Sequence, residues 1–401
     1  MISILLAALA AASSAEAATE AATARVHAVD AQIHAVISLD PTALDQARAI
    51  DRGRRARGLL YGYAILLKDN IEADGPLPTT AGSMALKPTV GLVSRARIVP
   101  ISHSQDTAGP IAADVATAAR VLSAIAGADS ADPATKDADA HIADYLAALK
   151  PDALKGARIG VLRFATGWSA ATDKVFEQAL TVLKAQGATL VDITALKDRD
   201  KMGEAETLVL HTELKADLNS YLATTPPAVK TRTLADVIAF DAAHADRELG
   251  LFGQETFVKA EATKGLDDPA YQAARATSLR IAGRDGIDAM LAAGRLDALV
   301  SPTMPPAWKI DAANGDQISG AGAGSLAAVA GYPHLTVPMG AVMGLPVGLS
   351  IIGPAWSEAR LLGYGYAYEQ SAKAKVTPRF LPSIEGVAPV APLLEPLQRR
   401  R

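Results

Sequence analysis

The feature that most constrains the fold is an alternation in the middle of the chain. The run 158-RIGVLR-163 is short and apolar, Asp173 to Gln186 has helical spacing, and 188-ATLVDI-193, following Gly187, is strand-like again. Strand, helix and strand in that order predict a crossover unit, and hence a largely parallel sheet flanked by helices. Further strands are predicted at 297-DALVSPTMPP-306, 334-HLTVPMG-340 and 346-PVGLSIIG-353.

Around this centre the pattern is mostly helical. Ala18 to Asp51 has apolar residues Val26, Val29 and Ile33 at helical spacing, with a second helix opening at Asp40-Pro41 and running toward Ile50. Asp114 to Ala126 reads as an amphipathic helix, and Thr135 to Lys150 as polar and then helical. Thr194 to Gly294 is helical and charged, which suits a cap over the sheet. In 61-YGYAILLKDN-70 the apolar run Ala64 to Leu67 predicts a buried strand that delivers Lys68 and Asp69 at its end. The tail 386–401 carries Pro389, Pro392 and Pro396 and is expected to be loosely ordered.

Composition narrows the partners. Half of the 401 residues are hydrophobic, and the formal net charge of −4 supplies no basic footprint for nucleic acid or anionic membrane. There is no cysteine, so disulfides, thiolate metal sites and cysteine nucleophiles are excluded together. The N-terminal residues 1–17 combine an apolar run, Ile4 to Ala12, with the small residues of Ala15-Glu16-Ala17, a pattern like a secretory signal peptide. The expected location is therefore periplasmic or secreted, with the cytoplasm as the alternative. The apolar stretch Ser325 to Trp356 is broken by Pro333, Pro338, Pro346 and Pro354 and cannot be a spanning helix.

Five blocks stand in one order: 65-ILLKDNIE-72; 78-PTTAGS-83; 87-KPTVGLVSRARIVPISHSQDTAGP-110; 297-DALVSPTMP-305; and 331-GYPHLTVPMG-340 with 344-GLPVGLSIIGPAW-356. In order and content they resemble the amidase signature family, hydrolases of carboxamide C–N bonds, with peptide amidases and aryl-amidases among the similar members. The resemblance implies a single domain over residues 18–385. Its fold would be an α/β/α layered sandwich around a mixed central sheet. It also implies a serine acyl-enzyme mechanism without cofactor or metal, acting on a small-molecule amide or a peptide amide. Lys68 corresponds to the family's catalytic base. A lysine desolvated at a strand end has its ammonium form disfavoured and can accept a proton. In the family it does so through a bridging serine, beside an oxyanion hole of backbone amides.

One departure from the family pattern governs the rest. Relatives carry, between the Thr-Thr-Ala-Gly-Ser and Lys-Pro-Thr blocks, a long segment with a Gly-Ser-Ser-Ser-Gly loop and a nucleophile in Gly-Gly-Ser or Asp-Gly-Ser. Here Lys68 and Lys87 are nineteen positions apart and none of these motifs occurs. An internal deletion near Leu86-Lys87 is therefore expected to remove both catalytic serines, to leave the core incomplete with unpaired strand edges, and to abolish turnover. A non-catalytic amide-binding remnant and a non-functional deleted product are the alternatives.

Other features read as structural. Ser83, Ser94, Ser102 and Ser104 survive near the join, with local bonding to backbone as the expected role and a relocated nucleophile as the rarer one. Asp106 is expected as a turn or cap. The run 319-SGAGAGSL-326 lacks the Gly-Lys-Ser/Thr ending of a phosphate loop and reads as a loop beside a cleft. The seven histidines have no metal-ligand spacing, and packing or hydrogen bonding is the role expected of His103 and His334.

Overall fold

The computed structural model describes residues 14–53, 58–68, 70–71, 86–250, 252–308, 311, 314–316, 318 and 322–377. Among them, six strands form one mixed sheet: β1 (Leu86–Lys87), β2 (Arg158–Leu162), β3 (Thr189–Ile193), β4 (Ala298–Pro302), β5 (His334–Val342) and β6 (Leu345–Ile352). Their order is β1-β5-β6-β4-β2-β3. β2 lies parallel to β3 and β4, whereas β4–β6, β5–β6 and β1–β5 are antiparallel. The predicted crossover unit is present as β2, the helix Ala170–Ala185 and β3, with Ser169 capping the helix by accepting from Thr172 N at 3.3 Å.

Alternation along the strands splits the core into two faces. On one, Ile159, Val161, Ala298, Val300, Leu349 and Ile351 pack against Phe176, Leu180 and Leu183 of the crossover helix and against Leu361, Leu362 and Tyr368 of the helix Glu358–Ala372. On the other, Leu162, Leu299 and Ile352 meet Ile281, Leu291 and Leu326 from the helices Pro269–Ala282, Ala289–Gly294 and Gly324–Ala330. The sheet is thus sandwiched between two helical layers. A third, wholly helical cluster joins Leu214, Leu218 and Leu222 of the long helix Arg199–Ala223 to Leu234 and Ala260. This is the charged helical region predicted over 194–294.

Leu86-Lys87 is held firmly in the sheet. Leu86 is fully buried, pairs with Leu335, and donates its N–H to Pro110 O at 3.1 Å. Gly109 packs directly on that strand: a Cβ there would stand 1.8 Å from the Leu86 carbonyl oxygen, so only glycine fits. The next residues fasten the block to the C-terminal half. Val90 N donates to Gly331 O at 2.9 Å, Thr89 N to the buried Glu358 Oε1 at 2.6 Å, and Trp356 N to Thr89 Oγ1 at 2.9 Å. Lys87 keeps part of its surface exposed, but its Nζ is enclosed, donating to Pro88 O at 3.2 Å and Tyr332 O at 3.1 Å. Burial pushes this amine down to about 8, against the opposing attraction of Glu358.

Several predicted elements differ. Ala64–Leu67 is not a strand and is exposed, Leu66 by 70%. An apolar run becomes a strand only where neighbours take up its N–H and C=O groups, and among the described residues none flanks it. The helix expected before Lys150 is replaced by the short 3-10 turns Pro133–Thr135 and Ala138–His141, followed by irregular turns. The second half of the glycine-rich run is helical, starting at Gly324, while residues 319–321 lie outside the described set. Ala15–Ala17 forms the first turn of the helix Ala15–Ile33, capped by Ser14, with Ala15 N and Glu16 N donating to Asp51 at 2.8 and 2.9 Å. Residues 1–13, the Thr-Thr-Ala-Gly-Ser block with Ser83, and the tail 386–401 also lie outside it.

The join can be tested by its energetics. Leu86→Ala should cost about 2–5 kcal/mol in urea unfolding, whereas Leu66→Ser, at the exposed run, should stay within about 0.5 kcal/mol of the parent. For Lys87, whose folded value is lowered to about 8 from 10.5, the unfolded chain holds more protons between those limits, so stability should rise with pH across that window. Chemical unfolding at pH 8 and pH 10 should detect the rise in the parent and its loss in Lys87→Met.

Candidate functional site

Lys68 ends an irregular segment and is half-exposed. Its carbonyl accepts from Ile71 N at 2.9 Å, which turns the chain so that Asn70 and Ile71 lie antiparallel to Ile98 and Val99. Val99 N donates to Asn70 O at 2.7 Å and Asn70 Nδ2 returns a bond to Val99 O at 3.3 Å. The Lys-Asp-Asn block is therefore anchored to the block that follows the join. Asp69 lies outside the described residues. Among the described residues no serine hydroxyl bonds to Lys68 Nζ; Ser94, Ser102 and Ser104 bond elsewhere, and Ser83 lies outside the described residues.

Ser94 makes the local backbone bond expected of it, its Oγ accepting from Ala96 N at 3.1 Å, and Ser94, Ser102 and Ser104 also bond carboxylates. Ser94 Oγ donates to Asp129 Oδ2 at 2.6 Å. Ser102 Oγ and Ser104 Oγ both donate to Glu213 Oε2, at 2.5 and 2.8 Å, and Tyr271 OH donates to Glu213 Oε1 at 2.7 Å. Between the two serines, His103 faces Asp217, which lies one helical turn beyond Glu213 on the same face of Arg199–Ala223. Arg95 clamps Asp132 through Nε at 2.8 Å and Nη2 at 2.7 Å and also bonds His103 O. The Arg95 guanidinium draws the Asp132 carboxyl down to about 2. Asp106 accepts from Ile101 N at 2.7 Å and Ser102 N at 2.8 Å, the turn role predicted for it, while burial pushes its carboxyl up.

His103, Glu213 and Asp217 bring potential metal-ligating atoms within 4.8 Å of one another. Glu213 already accepts three hydroxyls, and Arg275 Nε stands 3.9 Å from it. The group is a saturated hydrogen-bond cluster with its own cations, a poor donor set for a metal.

A second polar array crosses the sheet where β4 ends, at the carboxyl end of a strand in its parallel part, the usual place for ligands in α/β sheets. Thr303 Oγ1 lies 2.6 Å from Thr336 Oγ1 and 2.9 Å from Ser350 Oγ, and Ser350 Oγ lies 2.6 Å from His334 Nε2. Gly348 makes room for it: a Cβ there would lie 2.5 Å from Thr336 Oγ1 and 3.0 Å from Thr303 Oγ1. Burial, reinforced by the neighbouring Lys87 charge, pushes His334 down to about 4, so the imidazole is neutral and one ring nitrogen can accept. The chain Thr336–Thr303–Ser350–His334 can orient hydroxyls toward a polar ligand group. Packing or hydrogen bonding is the role expected of His334 from sequence, and the hydrogen bond is what forms, but the ladder is not foreseen. The available signal was hydroxyl residues inside otherwise apolar strand runs, Ser350 among Leu349, Ile351 and Ile352 above all.

Known proteins share both the sequence blocks and the sheet. A family model described as Amidase matches residues 17–86 and 84–362, two stretches that overlap at the join. A probable amidase of Arabidopsis thaliana is 32% identical over 323 residues, covering 77% of this chain and 57% of that protein. A putative amidase of Arthroderma benhamiae is 30% identical over 318 residues, covering 73% of this chain and 50% of that protein. This chain thus spans between half and three-fifths of the length of these curated relatives. The peptide amidase of Stenotrophomonas maltophilia superposes with a TM-score of 0.82 at 38% identity, over 92% of this chain and 95% of that one. An amidase family protein of Bacillus anthracis, at 24% identity, shares the fold with a TM-score of 0.77. The matched family model spans most of the described residues and the mixed sheet between two helical layers recurs in the solved relatives, so this chain belongs to the amidase family.

Proposed function

We propose that this chain descends from a Ser-Ser-Lys hydrolase of carboxamides and has negligible turnover as it stands, because a segment bearing both serines is missing at Leu86-Lys87. The observation that carries the reading is the spacing: nineteen positions separate Lys68 from Lys87, and no serine among the described residues serves the Lys68 amine. The two overlapping stretches of the family match and the shortfall in length against curated relatives support it.

In the complete mechanism Lys68 takes the proton of a bridging serine, which takes that of the nucleophile. The nucleophile's oxygen then bonds to the amide carbon, and the C–N bond breaks as ammonia or an amine leaves with a proton. Water hydrolyses the resulting ester and restores the serine. Among the described residues of this chain the lysine has no hydroxyl to deprotonate. The oxyanion-hole amides beside the nucleophile are lost too, and a single such donor is worth roughly 3–4 kcal/mol. The substrate class of the intact ancestor would be a small-molecule amide or a peptide amide, the latter in keeping with the Stenotrophomonas maltophilia relative.

A second reading, an amide-binding protein without catalysis, is favoured by the ladder of Thr303, Thr336, Ser350 and His334 at the end of β4. As to location, none of the described helices is long and apolar enough to cross a membrane. Export is supported by the apolar run Ile4–Ala12. The cytoplasmic alternative is supported by the docking of Ala15 and Glu16 on Asp51, contacts that cleavage after Ala17 would remove.

The purified chain should release ammonia from peptide amides, and arylamine from N-aryl amides, no faster than buffer; turnover abolished by Lys68→Ala would overturn the proposal. Amides that raise the melting temperature in the parent but not in Thr303→Val would establish the binding reading instead. Intact-mass measurement of the chain from a secreting host should show loss of the first 17 residues if export is correct, and retention of Ala15 if it is not.

A further inference from the structure

The cluster around His103 has no part in the amide chemistry proposed above, and its geometry is that of a titratable clip. Loop residues Ile101–Asp106 lie on the helix Arg199–Ala223. The imidazole Nδ1 is 2.9 Å from both carboxylate oxygens of Asp217, and His103 N donates to Asp217 Oδ2 at 2.6 Å. The opposite nitrogen, Nε2, faces Glu213 Oε1 at 3.6 Å. The ring is thus placed between two carboxylates, one at each nitrogen. A neutral imidazole has one N–H, and here it belongs on Nδ1 to satisfy Asp217. Its Nε2 lone pair would then confront the Glu213 carboxylate, whereas the imidazolium presents N–H to both.

We propose that His103 is a pH-operated clip: protonated, it pins the Ile101–Asp106 loop to the helix Arg199–Ala223, and on losing its proton it loosens that loop and, through Val99 and Asn70, the Lys68 block. The other groups facing the ring bear on the sign. Asp217 and Glu213 come from the long helix, Arg275 and Tyr271 reach Glu213 from the helix Pro269–Ala282, and Arg95 and Asp106 lie on the histidine's own segment. The bond to Asp217 holds the imidazole above its ordinary value of 6.5, reinforced by Glu213 and opposed by burial and by Arg95. With the folded value raised, the stabilisation is complete below the unfolded value and is lost as pH rises through the folded one. The ring is partly exposed, so solvent protons reach it without unfolding.

The linkage runs from the loop to the candidate base by short covalent and hydrogen-bonded steps. Val99 lies two residues before Ile101 and shares two hydrogen bonds with Asn70, itself two residues from Lys68. Ser102 and Ser104 remain bonded to Glu213 in either state, so the clip grades the hold on the loop instead of releasing it outright.

The test follows the His103 ring and the His103 and Ser104 amides by NMR between pH 5.5 and 8.5, in the full chain and in His103→Gln. The ring should titrate above 6.5, amide protection should decline through the same titration, and His103→Gln should remove the decline. Asp217→Asn should return the ring toward its ordinary value. Titration of the parent ring at or below 6.5, protection that does not change through it, or the same decline in His103→Gln would overturn the proposal. The parent measurement alone decides the matter if the variants do not fold.

Discussion

The two-residue pairing of Leu86-Lys87 with His334-Leu335 holds the molecule together. It is the point at which the Lys-Pro-Thr block enters the sheet, and a buried backbone cannot leave its N–H and C=O groups unpaired. β5 pairs with one side of this edge strand, and on the other side Pro110 O takes up the Leu86 N–H. The glycine at 109 is what allows the second approach. Its neighbours Thr89, Val90, Glu358 and Gly331 then convert the strand into a clasp between distant parts of the chain. Among the described residues the apolar run Ile65–Leu67 has no such partner and is exposed, although its composition suits a strand better than Leu86-Lys87 does.

Buried or half-buried carboxylates organise the remaining loops. Glu213 gathers Ser102, Ser104 and Tyr271, Asp132 gathers Arg95, Asp106 gathers two consecutive amides, and Glu358 takes the amide of Thr89. Each directs its lone pairs to N–H or O–H donors, which is the condition for burying a polar group at tolerable cost. The same pairing explains why none of the described serines near the join is free for nucleophilic work. A hydroxyl whose proton already points into a carboxylate, on a loop fastened by several such bonds, is a structural group.

Family membership and a Ser-Ser-Lys site depend on different properties of a chain. The sheet, its two helical layers and the blocks that form them persist, because packing depends on apolar periodicity distributed along the whole sequence. A Ser-Ser-Lys site instead depends on three side chains placed within hydrogen-bond reach, and losing one segment removes two of them at once. The hydroxyl ladder at the end of β4 is a separate polar feature, held within the sheet by Thr303, Thr336, Ser350 and His334.

Periodicity in the sequence determined the crossover unit, the helices Ala170–Ala185 and Val115–Ile125, and strands β4, β5 and β6 near their observed bounds, because these elements are set by local spacing of apolar residues. The ordered blocks likewise identified the family and singled out Lys68, since motif order is a property of the chain alone. Tertiary structure decided what depends on partners. Among the described residues it left Ala64–Leu67 without strand neighbours, made Leu86-Lys87 a strand, and gave Ser102, Ser104 and His103 their bonds to Glu213 and Asp217, more than a hundred residues away. It also built the ladder from Thr303 to His334 across three strands. Such pairings follow from which surfaces meet, and surfaces meet only when the chain is folded.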